Sequence, residues 1–161
     1  MNRSKSRHAF SLVELVIVIV IIGVIAAIAV PRISRGAKGA SDAAMIADLA
    51  TMRSSLDLYA AEHAGLYPGA TTFDPQMTTF SNEAGATVGT RDTTHIFGPY
   101  LKAVPGLPVK GTGTTGGKKG DNGVAAADAL TIGWLYTAAT GVIVANTGTS
   151  KDDEGKAYNT Y

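Results

Sequence analysis

One carboxylate interrupts the start of a long apolar segment near the N terminus. Residues 10–30 read FSLVELVIVIVIIGVIAAIAV, and every residue from 15 to 30 is apolar or glycine. The only charged side chain in this segment is that of Glu14. A carboxylate in hydrocarbon costs several kcal/mol unless a partner neutralises it. Glu14 is therefore a candidate functional residue whose partner must be found.

An α-amino group is one candidate partner for this carboxylate. Such a group would exist nearby if the chain were cut between Ala9 and Phe10, which would leave Glu14 as the fifth residue of the product. A helix rises only about 6 Å over four residues, so this amine could pair with its own Glu14 or with that of a neighbour shifted along a bundle. Either pairing would use the buried charge to set the register between helices.

The N-terminal residues also carry a family resemblance. A basic leader, residues 1–9, precedes the run FSLVEL at residues 10–15, the apolar segment follows, and Pro31 comes directly after it. This order is similar to the class III signal of type IV pilins and type II secretion pseudopilins. The closing Gly65-Leu66-Tyr67-Pro68 resembles the Gly-x-Tyr-Pro turn that often ends the long helix of pseudopilins. The resemblance covers about the first 68 residues.

The resemblance implies specific roles for three residues. Ala9 and Phe10 would be the pair between which prepilin peptidase, a membrane aspartic peptidase, cuts the chain. Phe10 would then be N-methylated, and Glu14 would be the assembly carboxylate. The family usually has glycine at the position that Ala9 occupies. The implied partners are further copies of the chain in a helical homopolymer, related minor pilins or pseudopilins, prepilin peptidase and the inner-membrane assembly machinery.

The charge distribution predicts the topology in a membrane. The chain has 14 Lys and Arg against 13 Asp and Glu, and without the three basic residues of the leader it has 11 against 13, a net charge of −2. A basic leader before an apolar run is expected to stay in the cytoplasm while the C-terminal part is translocated. We therefore expect a single-pass inner-membrane protein with a periplasmic C-terminal domain. No overall basic field favours nucleic acid as a partner.

The pattern of apolar residues predicts one long helix in two halves. Residues 10–30 would span roughly 32 Å as a helix, enough to cross the hydrocarbon core of a bilayer. Residues 31–64 form an amphipathic continuation, with a bend near Pro31 and a C-cap at Gly65. The apolar stripe of this second half recurs at spacings of four and three: Met45, Leu49, Met52, Leu56, Tyr59 and His63.

Residues 65–161 are expected to form a loop-rich globular part. Two β-rich runs, separated by five residues that include Gly141, predict a hairpin at about 130–146. Trp134 is its predicted anchor in a small core. Residues 69–90 are expected to be a variable loop, and residues 124–129 a loop or short helix. The predicted fold is α+β and pilin-like, with a long N-terminal α-helix packed on a small C-terminal antiparallel β-sheet.

The chain has no cysteine, so no disulfide can stabilise the globular part. Any additional stabilisation must come from packing, a metal or neighbouring subunits. Acidic residues cluster in two predicted loops, where their oxygens could bind Ca²⁺. The preferred ligands are Asp121, Asp152 and Asp153, which could clamp the C-terminal tail to the glycine-rich loop. The alternative is a solvated acidic turn and tail. Many type IV pilins close a C-terminal loop with a disulfide and major pseudopilins generally do not, so the resemblance favours a pseudopilin.

The predicted function is structural, as a subunit of a type II secretion pseudopilus that polymerises through its N-terminal helix to support protein export. A type IV pilus subunit for adhesion or motility is the second possibility. A third is a binding module, either secreted after cleavage at Ala29, where residues 27–29 form an A-x-A site, or held by an uncleaved anchor. No nucleophile motif joins the Ser, Asp and His residues, so no enzymatic activity is expected.

Overall fold

The computed structural model describes residues 11–112, 117–129 and 131–161. The chain divides into two compact units, Met1–Lys38 and Gly39–Tyr161. In chain order the elements are α1 (Leu12–Glu62), α2 (Phe73–Thr78), β1 (Phe80–Ser81), β2 (Thr87–Val88), β3 (Gly123–Ala125), β4 (Ile132–Thr137), β5 (Val142–Ala145) and a 3₁₀ helix (Tyr158–Thr160).

The described part of the first unit, residues 11–38, is helical from Leu12 onward. The large apolar side chains between Leu12 and Ile33 are all at least 42% exposed, so this part of α1 has no core of its own. Pro31 lies inside α1, and the helix continues through it. Because proline has no N–H, the carbonyl of Ala27 receives no bond from this position.

The second unit begins with the amphipathic half of α1. The residues of its predicted stripe are buried, each at most 2% exposed, because the four-and-three spacing places them on one face of the helix: Met45, Leu49, Met52, Leu56, Tyr59 and His63. After Glu62 the chain turns through Ala64 and Gly65, whose φ angles are 54° and 82°. The Gly65 N–H donates to the Ala60 carbonyl at 2.8 Å, which closes the helix end as a Schellman motif does.

The main sheet has the strand order β3-β4-β5. Strands β4 and β5 form an antiparallel hairpin in which Trp134 pairs with Ala145 and Thr137 with Val142. The third strand differs from the prediction, because β3 lies in residues expected to be loop or short helix and pairs with β4 in parallel. Its three residues are too few to carry a strand pattern, and their extended conformation comes from pairing with the open edge of β4. The sheet is therefore mixed rather than antiparallel.

Residues 69–90, predicted to be a variable loop, contain a short helix and a small hairpin. Gln76 on α2 joins this region together, since its Nε2 donates to the Gly85 carbonyl at 2.8 Å and its Oε1 accepts the Gly69 N–H at 2.8 Å. Strands β1 and β2 then pair antiparallel. Both Phe73 and Met77 of α2 are buried in the core.

The core of the second unit joins the stripe of α1 to the sheet. Trp134, predicted to be the anchor, is fully buried, and its indole N–H donates to the Pro105 carbonyl at 2.8 Å. Tyr136 and Ile143 are buried in the same cluster as the stripe of α1. The predicted α+β fold, with a long N-terminal helix and small C-terminal sheets, is confirmed.

Candidate functional site

The carboxylate of Glu14 lies at the first turn of α1. Its Oε2 accepts the backbone N–H of Ser11 at 2.9 Å. Ser11 directly precedes the helix, and its carbonyl accepts the N–H of Leu15 at 3.2 Å, which is the first bond of the helical ladder. Ser11 is therefore the N-cap residue, and Glu14 reaches back from the third helical position.

After Glu14, every residue of α1 from Leu15 to Val30 is apolar or glycine. α1 is long and apolar enough to cross a membrane, and its most apolar window has none of its residues buried inside the protein. An N-terminal segment of this kind is suited to burial in lipid or against other helices. Glu14 thus stands at the start of a surface that requires an apolar environment.

The three predicted calcium ligands lie in two loops. Oδ2 of Asp121 accepts the backbone N–H of Lys118 at 2.7 Å. Asp152 is buried, and its Oδ1 accepts the backbone N–H groups of Lys156 at 2.8 Å and Glu154 at 2.9 Å. Asp153 is exposed. Hydrogen bonds that shape turns therefore occupy the carboxylates of Asp121 and Asp152.

A cleft of about 490 Å³ contains Asp152 and Asp153 but not Asp121. Nine residues line it: Gly39, Asp42, Ala43, Ile46, Asp152, Asp153, Glu154, Lys156 and Tyr161. Within residues 11–112, 117–129 and 131–161, no three or more His, Cys, Asp or Glu side chains are placed to hold one metal ion. Calcium binding by Asp121, Asp152 and Asp153 therefore remains a prediction, and we derive no role for a metal.

Asp152 instead organises the C-terminal tail, residues 150–161. Its Oδ2 accepts a hydrogen bond from the Tyr161 hydroxyl. This bond, assisted by the backbone N–H donors of Lys156 and Glu154, lowers the pKa of Asp152 below its usual value. The same bond raises the pKa of Tyr161 to about 12. The Lys156 ammonium lies 3.5 Å above the centroid of the Tyr161 ring, a cation–π contact.

Two side chains of α1 hold this tail. Asp42 accepts the Tyr158 hydroxyl at 2.5 Å. Arg53 donates through Nη2 to the Ile143 carbonyl at 3.0 Å and to the main-chain oxygen of Tyr161 at 2.5 Å. The Arg53 guanidinium therefore joins α1, β5 and the tail. These hydrogen bonds hold the tail in a chain that has no cysteine to form a disulfide.

The described histidines have structural partners. His63 is 1% exposed, its Nδ1 lies 2.8 Å from the Tyr59 carbonyl, and its Nε2 lies 3.1 Å from Ser81 Oγ. Since a carbonyl only accepts, Nδ1 is the donor, and in the neutral ring Nε2 accepts from the serine hydroxyl. His95 Nδ1 lies 2.8 Å from Asp92 Oδ2 in an exposed turn.

Comparison with known proteins gives one match. Residues 4–30 match the family model of the prokaryotic N-terminal methylation motif, which is the class III signal peptide. No curated protein and no solved structure matches the chain significantly. The matched segment contains both the N-cap residue Ser11 and the carboxylate of Glu14.

The N terminus of the chain therefore carries the methylation motif found in type IV pilin-like proteins. The α+β fold of the chain, with its long N-terminal helix, is consistent with a pilin-like fold.

The predicted cleavage pair lies outside the described residues. Ala9 and Phe10 both fall within the matched segment. Cleavage between them, methylation of Phe10 and the assembly role of Glu14 remain predictions.

Sequence reasoning missed two structural features. The first is the cap, although Ser11-Leu12-Val13-Glu14 is a literal S-x-x-E capping-box pattern before an apolar run and could have been recognised. The second is the tie between Asp42 and Tyr158. These residues are 116 positions apart, and nothing in a single sequence indicates such a pairing.

Proposed function

We propose that this pilin-like chain is a structural subunit of a type II secretion pseudopilus. In this proposal, prepilin peptidase removes residues 1–9 and the new N terminus at Phe10 is methylated. The subunit waits in the inner membrane as a single-pass protein with a periplasmic C-terminal domain. It then polymerises with copies of itself and with minor pseudopilins. The methylation motif at residues 4–30, continuous with a helix that has no core of its own in its first half, carries the proposal.

The apolar side chains in the first half of α1 are exposed, so in this proposal they must be buried first in a membrane and then in a filament. Each large aliphatic side chain left in water forgoes about 1.5–3 kcal/mol of burial free energy. A bilayer supplies this burial, but so do the packed helices of a filament. Because lipid tails are as apolar as leucine, moving the helix from one environment to the other gains little hydrophobic free energy. Helix packing and a directional polar contact must therefore favour assembly.

The Glu14 carboxylate supplies that directional contact in the proposed mechanism. Paired with the α-amine of Phe10 in a neighbouring subunit, it would be neutralised in an apolar filament core. A wrong register would leave both charges unpaired in the same surroundings. The pair thus selects one register at the start of the helix.

The construction of the C-terminal tail supports the pseudopilus over an adhesive pilus. Hydrogen bonds from Tyr158, Tyr161 and Arg53 hold the tail, and no cysteine exists to form a disulfide there. The resemblance associates a C-terminal disulfide with many pilins and its absence with major pseudopilins.

The first test is the intact mass and N-terminal sequence of the protein recovered from its native membranes. We expect a chain that starts at Phe10 and carries one added methyl group. A chain starting at Val30 would instead identify a secreted binding module, and an intact Met1 would identify an anchored one. Both results would overturn the filament proposal, because neither chain would have the amine that cleavage creates at Phe10.

The second test separates the two kinds of filament. Removal of the protein from its own bacterium should abolish the export of secreted proteins and leave surface pili in place. Loss of surface pili with normal export would show a type IV pilus subunit instead. Re-expression of the unchanged chain is the control for effects on neighbouring proteins.

A further inference from the structure

We propose that Arg32 and Arg35, just past the apolar segment of α1, form a binding site for the phosphate of an anionic phospholipid. The lipid belongs to the outer leaflet of the inner membrane, on the side to which the globular part is translocated. This inference rests on the single-pass topology of the proposed function and adds a specific lipid partner to it. Both arginines lie beyond the matched methylation motif, which ends at residue 30.

The first step of the argument is the depth of the two arginines. Residues 12–30 of α1 span about 28 Å, close to the hydrocarbon thickness of about 30 Å. When they fill that layer, Val30 lies at its outer boundary, and Arg32 and Arg35 follow about 3 Å and about 8 Å beyond it. The headgroup layer on each side is about 5–8 Å thick, so both residues lie at its level. The backbone of Lys38, about 12 Å beyond Val30, lies past it.

The second step is the direction of the side chains. Side chains on an α-helix tilt toward its N terminus, which here is toward the membrane. Arg35 follows this rule, since its Nε donates to the Pro31 carbonyl at 3.4 Å, one turn nearer the apolar segment. A guanidinium has five N–H donors, so the others remain for a ligand. Both arginines are exposed and three positions apart, which places them side by side on one helix face.

The third step is the unbalanced charge of this segment. Arg32, Arg35 and Lys38 are the only charged residues between Glu14 and Asp42. No acidic residue lies three or four positions from either arginine, the spacing at which ion pairs form on a helix. Like charges at this spacing repel one another, and an anion bound between them removes the repulsion. The translocated flank of a membrane helix is ordinarily poor in Lys and Arg, so topology does not account for these charges.

The fourth step is the chemistry of the ligand. A guanidinium is always charged, and its planar fork donates two parallel N–H groups to a phosphate. In phosphatidylglycerol the phosphate is the only charged group, whereas in phosphatidylcholine an ammonium group of the same molecule neutralises it. The methylene groups of an arginine pack along apolar surface while its charged head stays at the interface. The site therefore prefers an anionic phospholipid to a zwitterionic one.

Quenching by brominated lipids tests this preference. The full chain has no cysteine, so Ile25→Cys provides one position for a fluorescent label. Ile25 is 60% exposed and lies two turns before Arg32 on the same helix face. The labelled chain is placed in vesicles of phosphatidylcholine and phosphatidylglycerol, in which one lipid at a time carries bromine on its acyl chains. Quenching at several mole fractions gives the association of phosphatidylglycerol relative to phosphatidylcholine at this face.

We expect the wild type to associate preferentially with phosphatidylglycerol. A basic residue near a membrane surface favours anionic lipid about five-fold, so Arg32→Gln and Arg35→Gln should each lower the ratio by about that factor. The double variant should bring the ratio close to one. Lys38→Gln is the matched control, because it removes the same charge from a position past the headgroup layer and should change the ratio less than either arginine variant. Quenching by phosphatidylcholine, retained in every variant, shows that each one still inserts.

Two results would overturn the inference. Equal association of the two lipids with the wild type would exclude a lipid site, and failed assembly of the double variant would then identify an acidic surface of a second copy as the partner. An equal loss in Lys38→Gln and the arginine variants would show a diffuse attraction without a site.

Failure of the proposed function gives different patterns. If the secretion role is wrong, export continues without the protein while the lipid preference of the wild type persists. If the topology is wrong, neither brominated lipid quenches the label, and the inference falls with it. The failures are therefore distinguishable.

Discussion

The hydroxyl of Tyr158 donates a hydrogen bond to Oδ1 of Asp42 across 2.5 Å, and this contact joins the last helical turn of the chain to α1. Tyr158 is 3% exposed, so its hydroxyl has little access to water as an alternative acceptor. Burial, followed by the nearby Asp42 carboxylate, raises the pKa of Tyr158 above its ordinary value. The contact is thus a protonated donor facing a charged acceptor.

Tyr158→Phe should lower the free energy of unfolding by about 1.5 kcal/mol. Hydrogen bonds to charged groups contribute about 1.5–3 kcal/mol, and the lower figure applies because water can solvate the half-buried Asp42 after the change. Denaturant unfolding of the full chain in detergent micelles measures this loss. Asp42→Asn, which keeps an acceptor oxygen, is the control and should cost less. Equal stability of Tyr158→Phe and the wild type would show that the contact does not stabilise the tail.

Stability should fall as the pH rises above 10. The folded pKa of Tyr161, about 12, exceeds the ordinary value of 10 because its hydroxyl donates to Asp152. The folded protein therefore holds this proton more tightly than the unfolded chain, and the stabilisation present below pH 10 is lost between pH 10 and 12. Thermal unfolding followed against pH measures the decline. Tyr161→Phe should flatten the curve in this window, and an unchanged slope would contradict the assignment.

Stability should also fall in acid. The Tyr161 hydroxyl and backbone N–H donors hold the pKa of Asp152 below its ordinary value of 3.8. The stabilisation is complete above that value and is lost as the pH falls through the folded pKa. In Asp152→Asn, which has no carboxylate to protonate, thermal unfolding below pH 4 should depend less on pH. A steeper dependence in the variant would contradict the prediction.

Ala64→Gly should raise the free energy of unfolding by about 1 kcal/mol. Ala64 has a φ of 54°, a left-handed conformation that costs an L-residue roughly 1–2 kcal/mol and glycine almost nothing. Ala61→Gly is the matched control, since this exposed residue lies in α1 and should lose about 0.5–1 kcal/mol. Opposite signs for the two changes are the expected result. A loss of stability at both positions would argue against a left-handed Ala64.

Gly133→Ala should destabilise the protein by about 3 kcal/mol, near the upper end for an overpacked site. A Cβ at Gly133 would lie 2.0 Å from the Asp121 carbonyl oxygen, so β4 or the neighbouring loop would have to move. Gly39→Ala is the control, because no atom lies within 4 Å of its added Cβ and the helix should gain stability. Chemical denaturation compares the two. A stable Gly133→Ala protein would contradict the close packing of this strand.

The features that sequence predicted correctly are those that depend on local periodicity. The stripe from Met45 to Tyr59 repeats at helical spacing, so its burial follows from the pattern alone. The hairpin of β4 and β5 follows from two β-rich runs around Gly141, whose φ of 69° allows the turn. Trp134 was predictable as an anchor because it is the largest apolar side chain in either run.

The features that sequence missed depend on contacts between distant residues. The residues of β3 are extended because they pair with the edge of β4. The helix α2 has only six residues, so the burial of Phe73 and Met77 stabilises it more than its intrinsic helix propensity does. At the candidate site, the methylation motif and the importance of Glu14 could be predicted from the N-terminal sequence. The hydrogen bonds of Asp152 could not be predicted, because Tyr161 and the turn amides meet its carboxylate only in the folded tail.

The closure of the C-terminal tail by hydrogen bonds makes it independent of redox conditions. A disulfide forms in seconds to hours and requires an oxidant, whereas hydrogen bonds form as soon as the surfaces meet. This domain can therefore complete its folding without a thiol oxidase or isomerase, and reducing agents should not change its stability. Its tail can also open and reclose reversibly, which a covalent bridge would prevent. If the proposed function holds, the subunit can use that freedom when it moves from a membrane to a filament, without any change in covalent structure.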